Sequence, residues 1–353
     1  MPSISDYEEI SLAGLEIAPV SWQGDRLRFR AGGGRGSSAV VGPSYGLWGW
    51  ELYADVLADD AAYNDDINSM PSYQYYQDFI QRHTTGDEEI FIIDFRGRKF
   101  FASFADNGHS GELLTYDLLS MGGVRVEMRT VDGIPLHTDG SIFYPTDVSG
   151  IRWWYEITST TSIPNVQDLS SNDRDLTCEL PMPDLTTNGG VDVIRWNGSN
   201  DNPLINTVKG SVTVTHVFVV CCATDATHDA SPASRGLVSG KTLGVLAAEA
   251  STTKFVDFGY TTNFEYKKNG TAYADNNAQC PMSGALAVVE AKFPSTVGID
   301  DYLQFGLDRQ LSGRIWEGDM AASVGFNNAS MTANEEYKLR KYLANEFGGI
   351  TVV

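Results

Sequence analysis

The spacing of apolar residues changes character several times along the chain. Pro71–His83 (PSYQYYQDFIQRH) sets Tyr73, Tyr76, Phe79, Ile80 and His83 on one side of a helical period, which predicts a helix. Pro71 suits its first turn, where a missing N–H costs nothing. Two strand-like runs follow, Glu88–Asp94 (EEIFIID) and Arg98–Ala105 (RKFFASFA), with Arg96-Gly97 as a short hairpin connection. Phe100 and Phe101 then point to opposite faces, so the hairpin needs cover on both. A linker with Gly122-Gly123 leads to Val124–Thr130, which alternates Val124, Val126 and Met128 with polar partners and predicts a strand with one dry face.

Asp132–Gly150 (DGIPLHTDGSIFYPTDVSG) is rich in Gly, Pro and Asp and reads as a domain boundary, placed near residue 145. Beyond Ile151 short strands and turns dominate. Val212–Cys222 (VTVTHVFVVCC) alternates and then runs apolar, the mark of a central strand, and Arg314–Phe326 is a further strand region. One helix closes the chain. Thr332 and Glu335 form its capping box, Leu339, Tyr342, Leu343 and Phe347 its apolar face, and Gly348-Gly349 its stop.

A length of 353 residues is more than one core comfortably serves, so two domains are expected, 1–145 and 150–353. The abundance of Gly (35) and an 11% aromatic content support a mainly β protein with few helices. A net charge of −21 argues against non-specific nucleic-acid binding and against docking on an anionic membrane. Between Gly36 and Gln81 there is no Lys or Arg, while Glu51, Asp55, Asp59, Asp60, Asp65, Asp66 and Asp78 all occur. That stretch is either a solvated acidic surface or a patch that meets a basic partner subunit.

Residues 1–40 read as a polar arm, and Ala31–Ser38 (AGGGRGSS) as a loop. No Lys-Ser/Thr follows its glycines, so it is not a phosphate cradle. The opening MPSISDYEEI has no basic segment followed by an apolar one, so no secretory leader is expected, and no apolar run is long enough to span a bilayer. Cys178, Cys221, Cys222 and Cys280 fit no metal spacing; adjacent Cys221 and Cys222 should face opposite sides of a strand as buried free thiols. No cofactor and no metal site is expected. His83, His109, His137, His216 and His228 are isolated, and His216, inside the apolar strand, reads as a satisfied structural residue.

The second half resembles the concanavalin-like, laminin-G-type β-sandwiches. The resemblance runs through Trp153-Trp154-Tyr155, Asp168–Asp173, Val193–Leu204, Val214–Val220, Phe258–Tyr260 and Phe264–Gly270. It is most specific in Gly313–Met320 (GRIWEGDM) followed by the Thr332-capped helix. It implies a jelly-roll sandwich over about residues 150–349. The first half is similar to the tail-assembly domain of phage distal-tail and minor tail proteins, in which a helix precedes an aromatic hairpin and an alternating strand. That resemblance implies an α+β domain over 1–145 that builds rings. One short helix and about three strands cannot hide all their aromatic faces, so a spare face that includes Tyr73, Tyr76, Phe100 and Phe101 is the expected assembly surface.

Sugar sites combine an aromatic platform with Asp and Asn groups that bond hydroxyls. Trp154 and the loop residues Asn200, Asp201 and Asn202 offer that combination, since one of Trp153 and Trp154 should face outward. The alternative is a core Trp196 beside a plain polar turn; a Ca²⁺ site there would rest on Asp201 alone. Sandwich glycosidases carry acid and nucleophile at alternate strand positions, and only Glu317 and Asp319 have that spacing.

The resulting expectation is a non-enzymatic virion protein, made in the host cytoplasm and placed at the phage tail tip or baseplate. Its partners would be other tail proteins, copies of itself in a ring, and a host-surface glycan. The alternatives are a phage-borne polysaccharide-degrading enzyme and a bacterial surface adhesion module.

Overall fold

The computed structural model describes residues 3–11, 18–19, 47–52, 79, 82–83, 90–95, 98–104, 112–115, 118–138, 140–199, 201–206, 210–223, 235–248, 255–256, 264–273, 284–311 and 313–353. The chain is mainly β, with several antiparallel sheets, and divides into two units, Ser3–Phe143 and Tyr144–Val353. No helix among the described residues is long and apolar enough to cross a membrane.

The N-terminal unit is built on β1 (Glu9–Ser11), β2 (Ala18–Pro19), β3 (Leu47–Leu52), β4 (Phe91–Phe95), β5 (Arg98–Phe104), β6 (Glu112–Thr115) and β7 (Leu118–Met128). They form one sheet in the order β1-β4-β5-β7-β3-β2, with β6 also paired to β7. The predicted hairpin is β4–β5, in register Phe91↔Ala102 to Phe95↔Arg98. Two expectations need correction. Residues 9–11 of the supposed arm form a strand parallel to β4. Gly122-Gly123 lies within β7 rather than in a linker before it.

The hairpin's apolar faces explain why the first residues fold. Phe91 shares a face with Ala102 and packs edge-on against Phe79, 5.1 Å between centroids; Phe79, Arg82 and His83 are helical, as expected for that segment. On the opposite face Phe101 packs against Tyr7 at 5.0 Å. Glu8 bonds Arg82 and His83, and Glu9 bonds Lys99 at 2.5 Å, so charge fixes the strand that apolar contact recruits. The Gly/Pro-rich stretch after β7 is also folded. Ile142 N–H donates to Lys99 O and Phe143 N–H to Pro135 O, and Ile134, Ile142 and Phe143 are buried.

The C-terminal unit contains β8 (Ile151–Glu156), β9 (Asn165–Val166), β10 (Leu176–Thr177), β11 (Asp184–Asn188), β12 (Val191–Asn197), β13 (Leu204–Asn206), β14 (Val212–Ala223), β15 (Arg235–Ser239), β16 (Gly244–Ala248), β17 (Phe255–Val256), β18 (Glu265–Lys268), β19 (Thr271–Tyr273), β20 (Ala287–Ile299), β21 (Leu303–Phe305), β22 (Glu317–Phe326) and helix α1 (Ala333–Glu346). The larger sheet runs β11-β12-β22-β14-β20-β18-β19, and the smaller runs β17-β16-β15-β21-β13-β10-β9. Strand β22 is long enough for two neighbours on one edge. Glu317–Met320 pairs with β12, and Ala322–Phe326 pairs with β8.

Alternation decides what each face buries. Val217, Val219 and Cys221 of β14 join Leu237, Leu246, Leu303 and Phe305 of the smaller sheet in one apolar cluster. His216, Phe218, Val220 and Cys222 occupy the other face, where they too are buried. Both faces being covered, the strand reads as an almost unbroken apolar run, as expected of a central strand. Helix α1 has the predicted box: Glu335 N–H donates to Thr332 Oγ1 at 3.2 Å, and Thr332 N–H to Glu335 Oε2 at 2.7 Å. The β18–β19 turn is Asn269-Gly270, with φ of 53° and 86°, the sign a tight hairpin demands at both centres.

Gly306 shows how closely the two sheets approach. Its φ is +88°, and a Cβ there would lie 2.3 Å from the indole of buried Trp196. Overpacking typically costs about 1–3 kcal/mol, and a left-handed alanine adds about 1–2 kcal/mol. Gly306→Ala is therefore expected to lower unfolding free energy by about 3 kcal/mol, read as a shifted denaturant midpoint at unchanged slope. An unshifted midpoint would mean that Trp196 is not seated against β21.

Candidate functional site

The residues expected to hold a sugar are spent on structure. Alternation does put Trp154 on the face opposite core Trp153, but that face is not open. Trp154 is 8% exposed, lies 6.1 Å from the ring of Tyr342 in α1, and donates its indole N–H to Glu156 at 2.8 Å. Asp201 is 6% exposed and accepts from Asn197 N and Asn197 Nδ2, closing its own loop. Asn202 donates to Leu180 O at 2.8 Å, and its carbonyl accepts from Trp196 Nε1. Asn200 lies outside the described residues. Trp196 is a core aromatic, the alternative reading of this loop.

The expected assembly aromatics also change meaning. Phe101 is fully buried against Tyr7 within its own unit, so it offers nothing to a neighbour; Phe100 is half-buried. Tyr73 and Tyr76 lie outside the described residues. Tyr7 packs on the face of Phe101, and Phe79 and His83 pack on the face of Phe91, so part of each hairpin face is covered within the unit.

Glu317 and Asp319 are each engaged by a different arginine. Glu317 pairs with Arg235. Asp319, fully buried, takes both prongs of Arg195 at 2.6 and 2.8 Å and a third bond from Asn188 Nδ2 at 2.7 Å. Carboxylates so occupied do not form the free acid-and-nucleophile pair of a retaining glycosidase. Cys222 lies beside Asp319, and burial together with that charge pushes its thiol up to about 12, which suppresses thiolate chemistry. Cys221 and Cys222 are free, buried and on opposite faces, as their adjacency in a strand requires. Cys280 lies outside the described residues.

Under α1 the outer face of the larger sheet carries a buried ionic cluster. Arg340 bonds Glu290 at 2.5 Å; Lys267 bonds both Glu290 and Glu336; Lys292 bonds Glu336 at 2.9 Å. Burial works against the charge of Glu336, but the nearby His216 and the bonds from Lys267 and Lys292 outweigh it and hold the carboxyl well below its ordinary range. His216 is buried, with Nδ1 2.9 Å from Thr215 Oγ1 and Nε2 3.6 Å from Glu336. Such a cluster fixes where the helix sits.

One cleft of about 390 Å³ opens on this unit, lined by Arg152, Arg174, Ser211, Thr213, Ile299 and Asp300 among others. Asp168 secures the turn that carries Arg174. Its carboxylate accepts from the N–H groups of Trp154, Ser170 and Arg174, each at 2.9 Å, tying the 168–175 turn to β8. Asp168 is 5% and Ser170 6% exposed, while Leu169 and Ser171 between and beside them face solvent. Arg174 donates to Gly210 O at 3.2 Å. Asp300 is held by Thr242 N, Thr242 Oγ1 and Leu243 N, bonds that keep it ionised although burial opposes the charge. Sequence reading missed this cleft, since Arg152 and Arg174 stand in an apolar strand and a polar turn that only folding brings together. Among the described residues no group of His, Cys, Asp and Glu is arranged to hold a metal ion.

No protein-family model matches the chain, and no curated protein matches it.

Glu156 supplies a test of the outer-face packing. Burial pushes its carboxyl up to about 7, against bonds from Trp154 and Tyr342 and with help from the charge of Glu346. A folded-state value above the unfolded 4.5 means the folded protein binds the extra proton, so stability falls as pH rises from 4.5 to about 7 and then levels off. Each unit of that window is worth about 1.4 kcal/mol, an upper bound of about 3 kcal/mol in all. Glu156→Gln should thus raise the melting temperature above pH 7, the advantage closing toward pH 4.5. A pH-independent difference between the two proteins would refute the assignment.

Proposed function

We propose that this chain is a structural component of a phage virion, a distal-tail or minor tail protein at the tail tip. In this reading its C-terminal unit is a concanavalin/laminin-G-like sandwich that contacts a host glycan or a neighbouring subunit. The observation that carries the reading is the closing β22–α1 pair. The GRIWEGDM segment enters β22 between β12 and β14, and the Thr332-capped helix returns over the same sheet. That is the arrangement for which the sequence resemblance is most specific. Two sheets sharing one apolar cluster add support, because such a unit closes its own core and leaves its loops for contact. The N-terminal unit supplies assembly, through surfaces other than Phe101.

Two measurements test this. Particles purified from producing cells should carry the chain at fixed stoichiometry through a density gradient, and antibody labelling should fall at one end of the particle. In light scattering the full chain should form a closed oligomer, while residues 144–353 remain monomeric. Free chain absent from every particle fraction would overturn the proposal. So would release of reducing ends from host polysaccharide that Glu317→Gln abolishes, an outcome that points to the hydrolase alternative.

A further inference from the structure

We infer that the cleft between Arg152 and Arg174 is a binding site for an oxyanion-bearing ligand, best fitted by a sugar residue with a single acidic group. The inference is independent of virion assembly and concerns the C-terminal unit alone.

The argument begins with charge pairing. In a chain with a net charge of −21, carboxylates outnumber cations, and an arginine finds a partner easily. Arg195 pairs with Asp319, Arg235 with Glu317, Arg309 and Arg314 with Asp308, and Arg340 with Glu290. Arg152 and Arg174 make no ion pair among the described residues. Arg152 Nε is buried and bonds nothing, and Arg174 bonds only a backbone carbonyl, Gly210 O. Asp168, whose charge favours that of Arg174, makes no ion pair with either arginine; its carboxylate accepts from three backbone N–H groups.

The two guanidiniums also oppose one another. Burial lowers the Arg174 pKa; Tyr155 and Asp168 act against that shift, and Arg152 adds to it. Two like charges at the wall of a cleft, with donors unspent, form a fork for a planar or tetrahedral anion. An anion bound between them offsets the two like charges. Ser211 Oγ, which already accepts from Asp301 N, keeps its own proton to donate.

Size and the opposite wall narrow the ligand. A volume of about 390 Å³ falls in the range of small-ligand pockets, about 300–1,000 Å³, and is far more than a bare ion fills. Val212, Leu243 and Ile299 give apolar wall for the body of a ring. Asp300, ionised at the same cleft, rejects a second acidic group and suits a hydroxyl. A ligand with one acid and several hydroxyls matches both ends.

Titration calorimetry of the full-length protein with glucuronate, sulfate and glucose, at constant ionic strength, tests this. Saturable binding of glucuronate is expected, with glucose at least tenfold weaker. Arg152→Gln and Arg174→Gln should each weaken glucuronate at least tenfold, while Lys341→Gln on the helix leaves it unchanged. Ligand-free Arg152→Gln should melt no lower than the parent, since it removes a like charge and no bond, so loss of binding is separable from loss of fold. Sulfate binding as tightly as glucuronate would keep the oxyanion site but overturn the sugar acid. Equal binding of glucose, no binding of either anion, or binding indifferent to both arginine variants would overturn the site.

Discussion

The C-terminal unit is organised by one constraint: β14, β22 and the first half of β20, residues 287–293, are covered on both faces. One face meets the smaller sheet and is apolar. The other meets α1 and carries Glu290, Lys292 and His216 among apolar neighbours. Polar groups under a helix have no water to fall back on, so each must be satisfied by protein or pay the desolvation cost. Lys267, Glu336 and Arg340 close that account for the sheet's charges, and in doing so leave α1 a single seat. The helix's apolar side, Leu339, Tyr342 and Leu343, gives adhesion; the ionic cluster gives register.

The same constraint explains why residues that look chemical in the sequence do structural work here. Trp154 alternates outward, as a platform for a sugar would, yet outward on β8 means beneath Tyr342. Asp201 and Asn202 stand in a polar loop, and the loop needs them, because its backbone approaches Trp196 and must be satisfied locally. Glu317 and Asp319 share strand spacing with a catalytic pair, yet each lies within reach of a guanidinium. In a densely paired acidic protein, a carboxylate in a suggestive position is more often a partner for arginine than a reagent.

Much of the secondary structure was legible because it follows from short-range physics. The capped helix, the central strand Val212–Cys222 and the β4–β5 hairpin are fixed by periodicity, caps and turn chemistry within a few residues. Strand β1 was not legible: Glu9–Ser11 is too short to show a period, and it is a strand only because β4 offers an edge and Lys99 a charge. Nor was the folding of Ile134–Phe143, whose Gly and Pro suggest a linker while its apolar residues dock on β5. The predicted site failed for a related reason. Exposure depends on what lies across the sheet, and neither Trp154 nor Phe101 carries a local sign of its cover.

The cleft lies at the far end of that scale of legibility. Its parts come from β8, the turn before β10, β14 and the end of β20, and no two in sequence suggest a common purpose. What distinguishes it is a remainder in the pairing of charges. Arg195, Arg235, Arg309, Arg314 and Arg340 each pair with a carboxylate, whereas Arg152 and Arg174, which line one cleft, make no ion pair among the described residues. Arg152 disfavours the charge of Arg174, while Asp168 favours it and secures the turn that carries Arg174 through three backbone bonds. Asp168 offsets part of that charge from within the chain, and an anion in the cleft, as proposed, would supply the counter-charge on the open side.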